Sequence, residues 1–252
     1  MAAMIWLHRY LRTWESQVDA IIALTEFQKD ILCGAGFPRE RVFVKPHFYP
    51  NPPEPLPWAD REAKALFIGR LGVEKGCHIL IEAWRRWGPE APQLEVIGDG
   101  PERIKLEALV AGIGLCEKVA FRGQLSFQEV QTSLKSARLL VLPSLCFEGF
   151  PMVILEAYAL GVPVAASKLG SMSCLIDEEI TGTLFEAGDP EDLLDKVKNA
   201  WTAAQRLSAW GTAARREFGL KFTAEANYKL LTQIYKYAIE YKKKKLSGLR
   251  SP

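Results

Sequence analysis

Two glutamates, Glu148 and Glu156, flank a short Gly149-Phe150-Pro151 loop that runs into an apolar segment ending near Leu160. A carboxylate in apolar surroundings needs hydrogen-bond donors to offset its desolvation, and sugar hydroxyls are such donors. Pro151 suits the first position of a helix, where its missing N–H costs nothing, and Gly161 suits the residue after its end. The amides of Phe150, Met152 and Val153 are then unsatisfied donors at the positive end of a helix dipole, with Gly149 giving flexibility. Such an end holds phosphate. Upstream, the stretch Phe67-Ile68-Gly69-Arg70-Leu71-Gly72-Val73-Glu74-Lys75-Gly76 sets two cations, Arg70 and Lys75, among glycines that admit a ligand close to the backbone. Fixed cations there stabilise a departing diphosphate, whose charge grows as its bond breaks. Residue types alone also allow plainer accounts: a loop acid, a solvated helix face and a basic surface loop.

These groups need elements to hold them. From residue 63 onward, apolar runs at 64–69, 93–98, 118–123, 138–142, 162–166 and 182–185 alternate with helical patterns. That alternation predicts βαβ units and an α/β fold with a doubly wound parallel sheet. Ligands of such sheets bind at the carboxyl ends of the strands, where both stretches fall. Two further strand ends carry glycines. Gly98-Asp99-Gly100-Pro101 follows one, with Asp99 expected to cap a helix starting near Pro101. Gly123-Gln124-Leu125-Ser126 follows the other, with Ser126 and Glu129 at capping-box spacing.

Ahead of this region, residues 4–18 read as one helix with Ile5, Leu7, Tyr10, Leu11 and Val18 apolar, and 20–24 and 41–45 as short strands. Thr25 is placed to cap a helix that Gly34 and Gly36 stop. Residues 49–62 are a proline-rich extended linker. Helices are expected over 189–206, 208–218 and 222–241, the last followed by Lys242–Lys245, a basic end that complements a helix C-terminus. Those lysines also suit anionic lipid, although solvation accounts for them.

Composition excludes several classes. A net charge of +2 gives no argument for nucleic acid. Five scattered cysteines without a Cys-x-x-Cys pair read as reduced thiols in the cytoplasm. Three scattered histidines support neither a metal site nor a triad, and Asp177-Glu178-Glu179 reads as solvation of a turn before Gly182. No apolar run approaches the ~20 residues of a membrane span. No Gly-x-Gly-x-x-Gly fingerprint supports a nicotinamide-dependent oxidoreductase.

The EGFPMVILEA stretch, residues 148–157, resembles the Glu-x7-Glu signature of retaining family 4 glycosyltransferases, which have the GT-B fold. GRLGVEKG, residues 69–76, is similar to that family's motif for the diphosphate, and the resemblance covers essentially the whole chain. It implies a Rossmann-like domain over 63–221 that binds a nucleotide-diphospho-sugar, the C-terminal half of a GT-B enzyme. Residues 1–48 would be the edge of an N-terminal acceptor domain whose remainder is missing, and 222–252 a crossover helix and basic tail. The resemblance assigns Glu148 to hydroxyls of the donor sugar, Glu156 to the ribose, and Arg70 and Lys75 to the diphosphate. Gly69 and Gly98 fall beside the donor, and Gly123, Gln124 and Leu125 at the nucleobase. It implies no metal and no cofactor besides the donor, and a donor phosphate that helps deprotonate the acceptor.

The reaction so implied is transfer of a sugar to an acceptor hydroxyl with retention, in polysaccharide or glycolipid biosynthesis. KPHFYP, residues 45–50, resembles members that build cell-surface polysaccharides. The acceptor would be a carbohydrate or lipid-linked, met in the cytoplasm or at the inner face of the membrane, with at most peripheral contact. An alternative is a non-catalytic donor-binding subunit that needs a separate acceptor-domain polypeptide. Where the family pattern continues with a glutamate after Gly170-Ser171, this chain has Cys174, expected as a buried small hydrophobe.

Overall fold

The computed structural model describes residues 2–248, which fall into two units: the residues up to Phe48 together with those from Lys221, and Tyr49–Leu220. In the first, α1 (Ala2–Tyr10) and α2 (Thr13–Gln17) replace the single helix expected over 4–18. Arg12 lies in the left-handed region, φ 49°, which a right-handed helix cannot continue through. The expected apolar position Ile5 lies outside the described side chains, and 249–252 of the basic tail outside the described residues. β1 (Ile21–Ala23) pairs in parallel with β2 (Val42–Val44), Ile21 opposite Val42. Between them, α3 (Glu26–Gly34) starts on Thr25, whose hydroxyl accepts the Gln28 amide at 3.3 Å.

The second unit is built on a six-stranded parallel sheet, with β3 (Lys64–Ile68), β4 (Gln93–Ile97), β5 (Val119–Gly123), β6 (Leu139–Leu142), β7 (Val164–Ser167) and β8 (Gly182–Phe185) in the order β5-β4-β3-β6-β7-β8. The chain moves outward from β3 to β4 and β5, then returns to β6 beside β3 and continues the other way. The switch point of the sheet therefore lies between β3 and β6, with Ala65 opposite Leu139. A crevice outside the carboxyl ends of two such strands is where α/β folds bind ligands. β6 and β7 are buried along their whole length, as their continuous apolar runs require with helices on both faces.

Those helices are α4 (Cys77–Trp87), α5 (Arg103–Gly112), α6 (Phe127–Ser136), α7 (Met152–Ala159), α8 (Ser171–Leu175), α9 (Pro190–Thr202) and α10 (Ala204–Lys221). α4 packs on α9, and its Leu80, Ile81 and Trp84 are fully buried with Leu94, Leu139 and Phe185 of the sheet. The break expected near residue 207 falls at Ala203. Ser126 and Glu129 form the capping box of α6. Asp99 does not cap α5, which begins at Arg103 after Glu102. Its carboxylate instead accepts the Gly100 amide at 2.7 Å and pairs with Arg103 at 3.2 Å, a tight turn that delays the helix. Cys174 is exposed, not buried, because α8 turns that face to solvent.

The chain closes with α11 (Ala224–Gly248), in the first unit. Phe43 meets Tyr237 edge-on and the Arg41 guanidinium lies over the Tyr241 ring. Among the described residues no helix is long and apolar enough to cross a membrane.

Candidate functional site

The loops leaving β3 and β6 are zipped together before any side chain is considered. The Glu74 carbonyl accepts the Leu145 amide at 2.8 Å. Gly76, with φ 67°, lies so close to the Pro143 carbonyl that a Cβ there would sit 1.8 Å from its oxygen. Only glycine allows both the conformation and the approach. A 3-10 turn over Val73–Lys75 presents Lys75, and the loop after β6 presents Ser144 and Glu148. Residues 73 apart in sequence thus meet: Lys75 Nζ donates to Glu148 Oε1 at 2.5 Å, and Ser144 Oγ donates to the same oxygen at 2.7 Å. Ser144 is buried, and Lys75 and Glu148 are partly buried.

α7 opens beside this cluster. Pro151 stands just outside the helix rather than at its first position: its ψ of 104° is extended, and Met152 is the first helical residue. The Met152 and Val153 amides are therefore the leading orphan donors. At the other end, Val162 donates to the Ala157 carbonyl at 2.8 Å and Gly161 to Tyr158 at 3.0 Å, with Gly161 at φ 64°. This is a Schellman stop. Arg61, buried at 6% exposure, adds hydrogen bonds to the Leu160 and Gly161 carbonyls at 2.7 and 2.9 Å. α7 is so anchored at its C-terminal end.

Gly69, Lys75, Glu148, Pro151, Met152 and Val153 line one cavity of about 280 Å³ with Phe67, Ile68, Leu142, Ser144 and Met172. The cavity has a cation, a carboxylate and a helix N-terminus on its wall, a combination suited to a ligand bearing both phosphate and hydroxyls. Phe150 and Gly149 belong to the loop at its rim, and Ser171 Oγ donates to the Gly149 carbonyl at 2.9 Å. Arg70 is exposed and does not line the cavity.

Gly98 follows β4 and Gly123 ends β5. A Cβ on Gly98, at φ 134°, would fall 1.9 Å from the Gly69 carbonyl oxygen, and Gly98 donates to the Gly123 carbonyl at 2.8 Å. Gly98 thus lets its loop pack against the β3 end, whereas Gly123 faces the Arg103 guanidinium of α5. Gln124 is exposed, whereas Leu125 lines a separate polar hollow with Arg122, Ser126 and Glu129. Glu156 is half-buried on α7 and outside the cavity wall. Burial raises its carboxyl above the ordinary value. It stands within electrostatic reach of Tyr49, whose phenol is held up first by burial, then opposed by Gln131 and pushed further by Glu156.

Sequence reasoning misses Ser144 and Met172, both on the cavity wall. Ser144 has a signal, a hydroxyl two residues past a buried strand end; Met172 has none. The acidic run 177–179 is consumed locally: Glu178 accepts from Thr183 and the Leu184 amide, and pairs with Lys196. Among the described residues no three His, Cys, Asp or Glu side chains gather as metal ligands.

The sequence profile of the family described as Glycosyl transferases group 1 matches residues 50–217. A glycosyltransferase of Methanocaldococcus jannaschii, itself uncharacterized, is 31% identical over 188 residues, covering 72% of this chain and 46% of that protein. The sulfoquinovosyl transferase SQD2 of Arabidopsis thaliana is 33% identical over 190 residues, covering 74% of this chain and 36% of its own. The chain thus spans less than half the length of these relatives. Among solved structures, Anabaena HepE in complex with UDP superposes with a TM-score of 0.75 over 89% of this chain and 65% of its own, at 21% identity. That likeness gives the fold, an α/β arrangement shared with GT-B glycosyltransferases.

Proposed function

The chain belongs to the glycosyl transferases of group 1, and from that premise we propose that its second unit binds a nucleotide-diphospho-sugar for transfer to an acceptor hydroxyl. The observation that carries this reading is the cluster of Lys75, Glu148 and the α7 N-terminus around one cavity at the switch point of the sheet. Lys75 and the Met152 and Val153 amides would neutralise the diphosphate, with Arg70 swinging in from the rim. Their fixed dipoles and charge act most strongly as the glycosyl bond breaks and negative charge collects on the leaving group. Glu148 would accept hydroxyls of the sugar, and Glu156 those of the ribose, its raised carboxyl recovering its charge when donors arrive. Gln124 and Leu125 would meet the base.

Transfer with retention, without a metal and with the donor's phosphate assisting deprotonation of the acceptor, is the mechanism we infer for this site. The pathway proposed is polysaccharide or glycolipid synthesis on the cytoplasmic side of a membrane. A second reading, a donor-binding subunit that works with a separate acceptor-domain polypeptide, draws support from the exposed apolar side chains of α1 and α2.

Calorimetric titration with UDP, GDP and ADP tests the site, followed by hydrolysis assays with the sugar conjugates of the tightest binder. Saturable binding of one base is expected. Hydrolysis favours the first reading, binding without hydrolysis the second, and a folded protein that binds none of the three would refute both. Glu148→Gln should spare the nucleoside diphosphate and weaken the intact donor. Equal weakening of both would remove Glu148 from the sugar.

A further inference from the structure

Glu148 has two holders on one oxygen. Lys75 and Ser144 both donate to Oε1, at 2.5 and 2.7 Å, and both leave Oε2 to other donors. The two holders differ in kind. Lys75 is a cation at the end of a long side chain on the cavity wall, and a diphosphate entering that cavity competes with Glu148 for its three N–H donors. Ser144 is a short neutral donor, 4% exposed, at the base of the loop after β6. A hydroxyl has no charge that an arriving phosphate could capture in the way it captures an ammonium.

The backbone around them cannot follow the lysine. The Glu74 carbonyl holds the Leu145 amide, and the Gly76–Pro143 contact leaves no space for even a Cβ. The loops of β3 and β6 therefore stay together while the Lys75 side chain changes partner. Once it does, a glutamate without a second holder on that oxygen would lose its orientation or turn toward other donors.

We propose that Ser144 is a positioning residue, resting on the donor-site reading above: it keeps Glu148 Oε1 fixed when a diphosphate draws Lys75 away, so that Oε2 is aimed as the acceptor for a sugar hydroxyl. The pair also makes the ligand-free site self-neutralised, with Lys75 held by the carboxylate until phosphate replaces it. Nucleoside diphosphate without sugar does not need Ser144. The intact donor needs Ser144 as well.

The test is calorimetry on the full chain with UDP, GDP and ADP, then UDP-glucose, GDP-mannose and ADP-glucose, for the wild type, Ser144→Ala, Ser144→Cys and Ser144→Thr. For the base that binds, Ser144→Ala and Ser144→Cys should weaken the sugar nucleotide about tenfold, as expected for loss of a hydrogen bond to a charged group, and shift the bare diphosphate less than twofold. Ser144→Thr, which keeps the hydroxyl, should restore the sugar nucleotide. In a Lys75→Met background the Ser144→Ala loss for the sugar nucleotide should persist, because Lys75 does not hold Glu148 in the donor complex of either protein. Equal loss of both ligand types, or no loss of either, overturns the role of Ser144 while leaving the donor site standing. Wild-type protein that binds no nucleoside diphosphate overturns the donor site and this inference with it. Should Ser144→Ala fail to fold, the contrast between Ser144→Cys and Ser144→Thr decides the same question.

Discussion

Two tryptophan pairs show how differently the two units are finished. Trp84 and Trp87 of α4 meet edge to face and are 0% and 7% exposed, while Trp6 and Trp14 of the first unit are 67% and 49% exposed. Met4, Leu7, Tyr10 and Leu11 share that exposure. The unit over 49–220 closes a core on both faces of six strands; the other sets a two-stranded sheet of three-residue strands among its helices. Charge divides the same way. Residues 49–220 hold 18 Lys and Arg against 23 Asp and Glu, a net of −5, and the remainder hold 14 against 7, a net of +7. A near-neutral total thus hides two opposite halves. The candidate cavity lies in the acidic unit, and its wall nonetheless presents a cation, Lys75.

That contrast can be broken most forcefully at the core. Trp84→Ala removes a fully buried ring and its hydrogen bond to the Pro92 carbonyl, and should cost about 3–5 kcal/mol in denaturant unfolding. A loss below about 1 kcal/mol would mean the sheet unit does not set the stability. Next in size, Lys75→Ala should weaken nucleoside diphosphate binding by about 1.5–3 kcal/mol, the scale of a charged hydrogen bond, with Arg70→Ala affecting it less because Arg70 is exposed at the rim. Arg70→Ala costing more than Lys75→Ala would reverse the assignment.

A smaller effect of opposite sign is expected at Glu156. Its raised carboxyl keeps a proton in the folded state to higher pH than in the unfolded chain. The group's contribution to stability is therefore present below the unfolded value and lost as pH rises through the folded one. Glu156→Gln should stabilise the ligand-free protein at pH 7 by about 1 kcal/mol or less and flatten its acid-side pH dependence, while weakening nucleoside binding. Destabilisation at pH 7 would show that the carboxylate is held by contacts the fold provides. The smallest change belongs to the exposed tryptophans: Trp6→Ser should alter unfolding by less than about 0.5 kcal/mol. A larger loss, measured in the same denaturant series, would place Trp6 in a packed surface and narrow the contrast between the units.

Most of the fold can be read from residue order. Strand positions follow from short apolar runs between glycine and proline, and six of them alternating with helices leave few alternatives to a parallel sheet. Ser126 and Thr25 announce their helices by chemistry that acts within four residues. Misreadings arise where a local turn overrides a pattern: Arg12 in a left-handed conformation splits one expected helix, and Asp99 spends its carboxylate on the Gly100 amide and Arg103 instead of a cap. The residue type of Cys174 suggests burial, but its exposure depends on which face of α8 the sheet covers.

By itself, the order of residues determined the two motifs, GRLGVEKG and EGFPMVILEA, the existence of a helix in the second of them and the strands that precede each motif, because propensity, capping and hydrophobic period are properties of neighbours in the chain. Only the tertiary structure decided that β3 and β6 lie side by side, that Lys75 and Ser144 share one oxygen of Glu148, and that Arg70 stays outside the cavity. Those facts depend on contacts between residues 73 or 74 apart in sequence, as for Lys75 with Glu148 and Ala65 with Leu139, and no local rule encodes the distance between two loops until a sheet has brought them together.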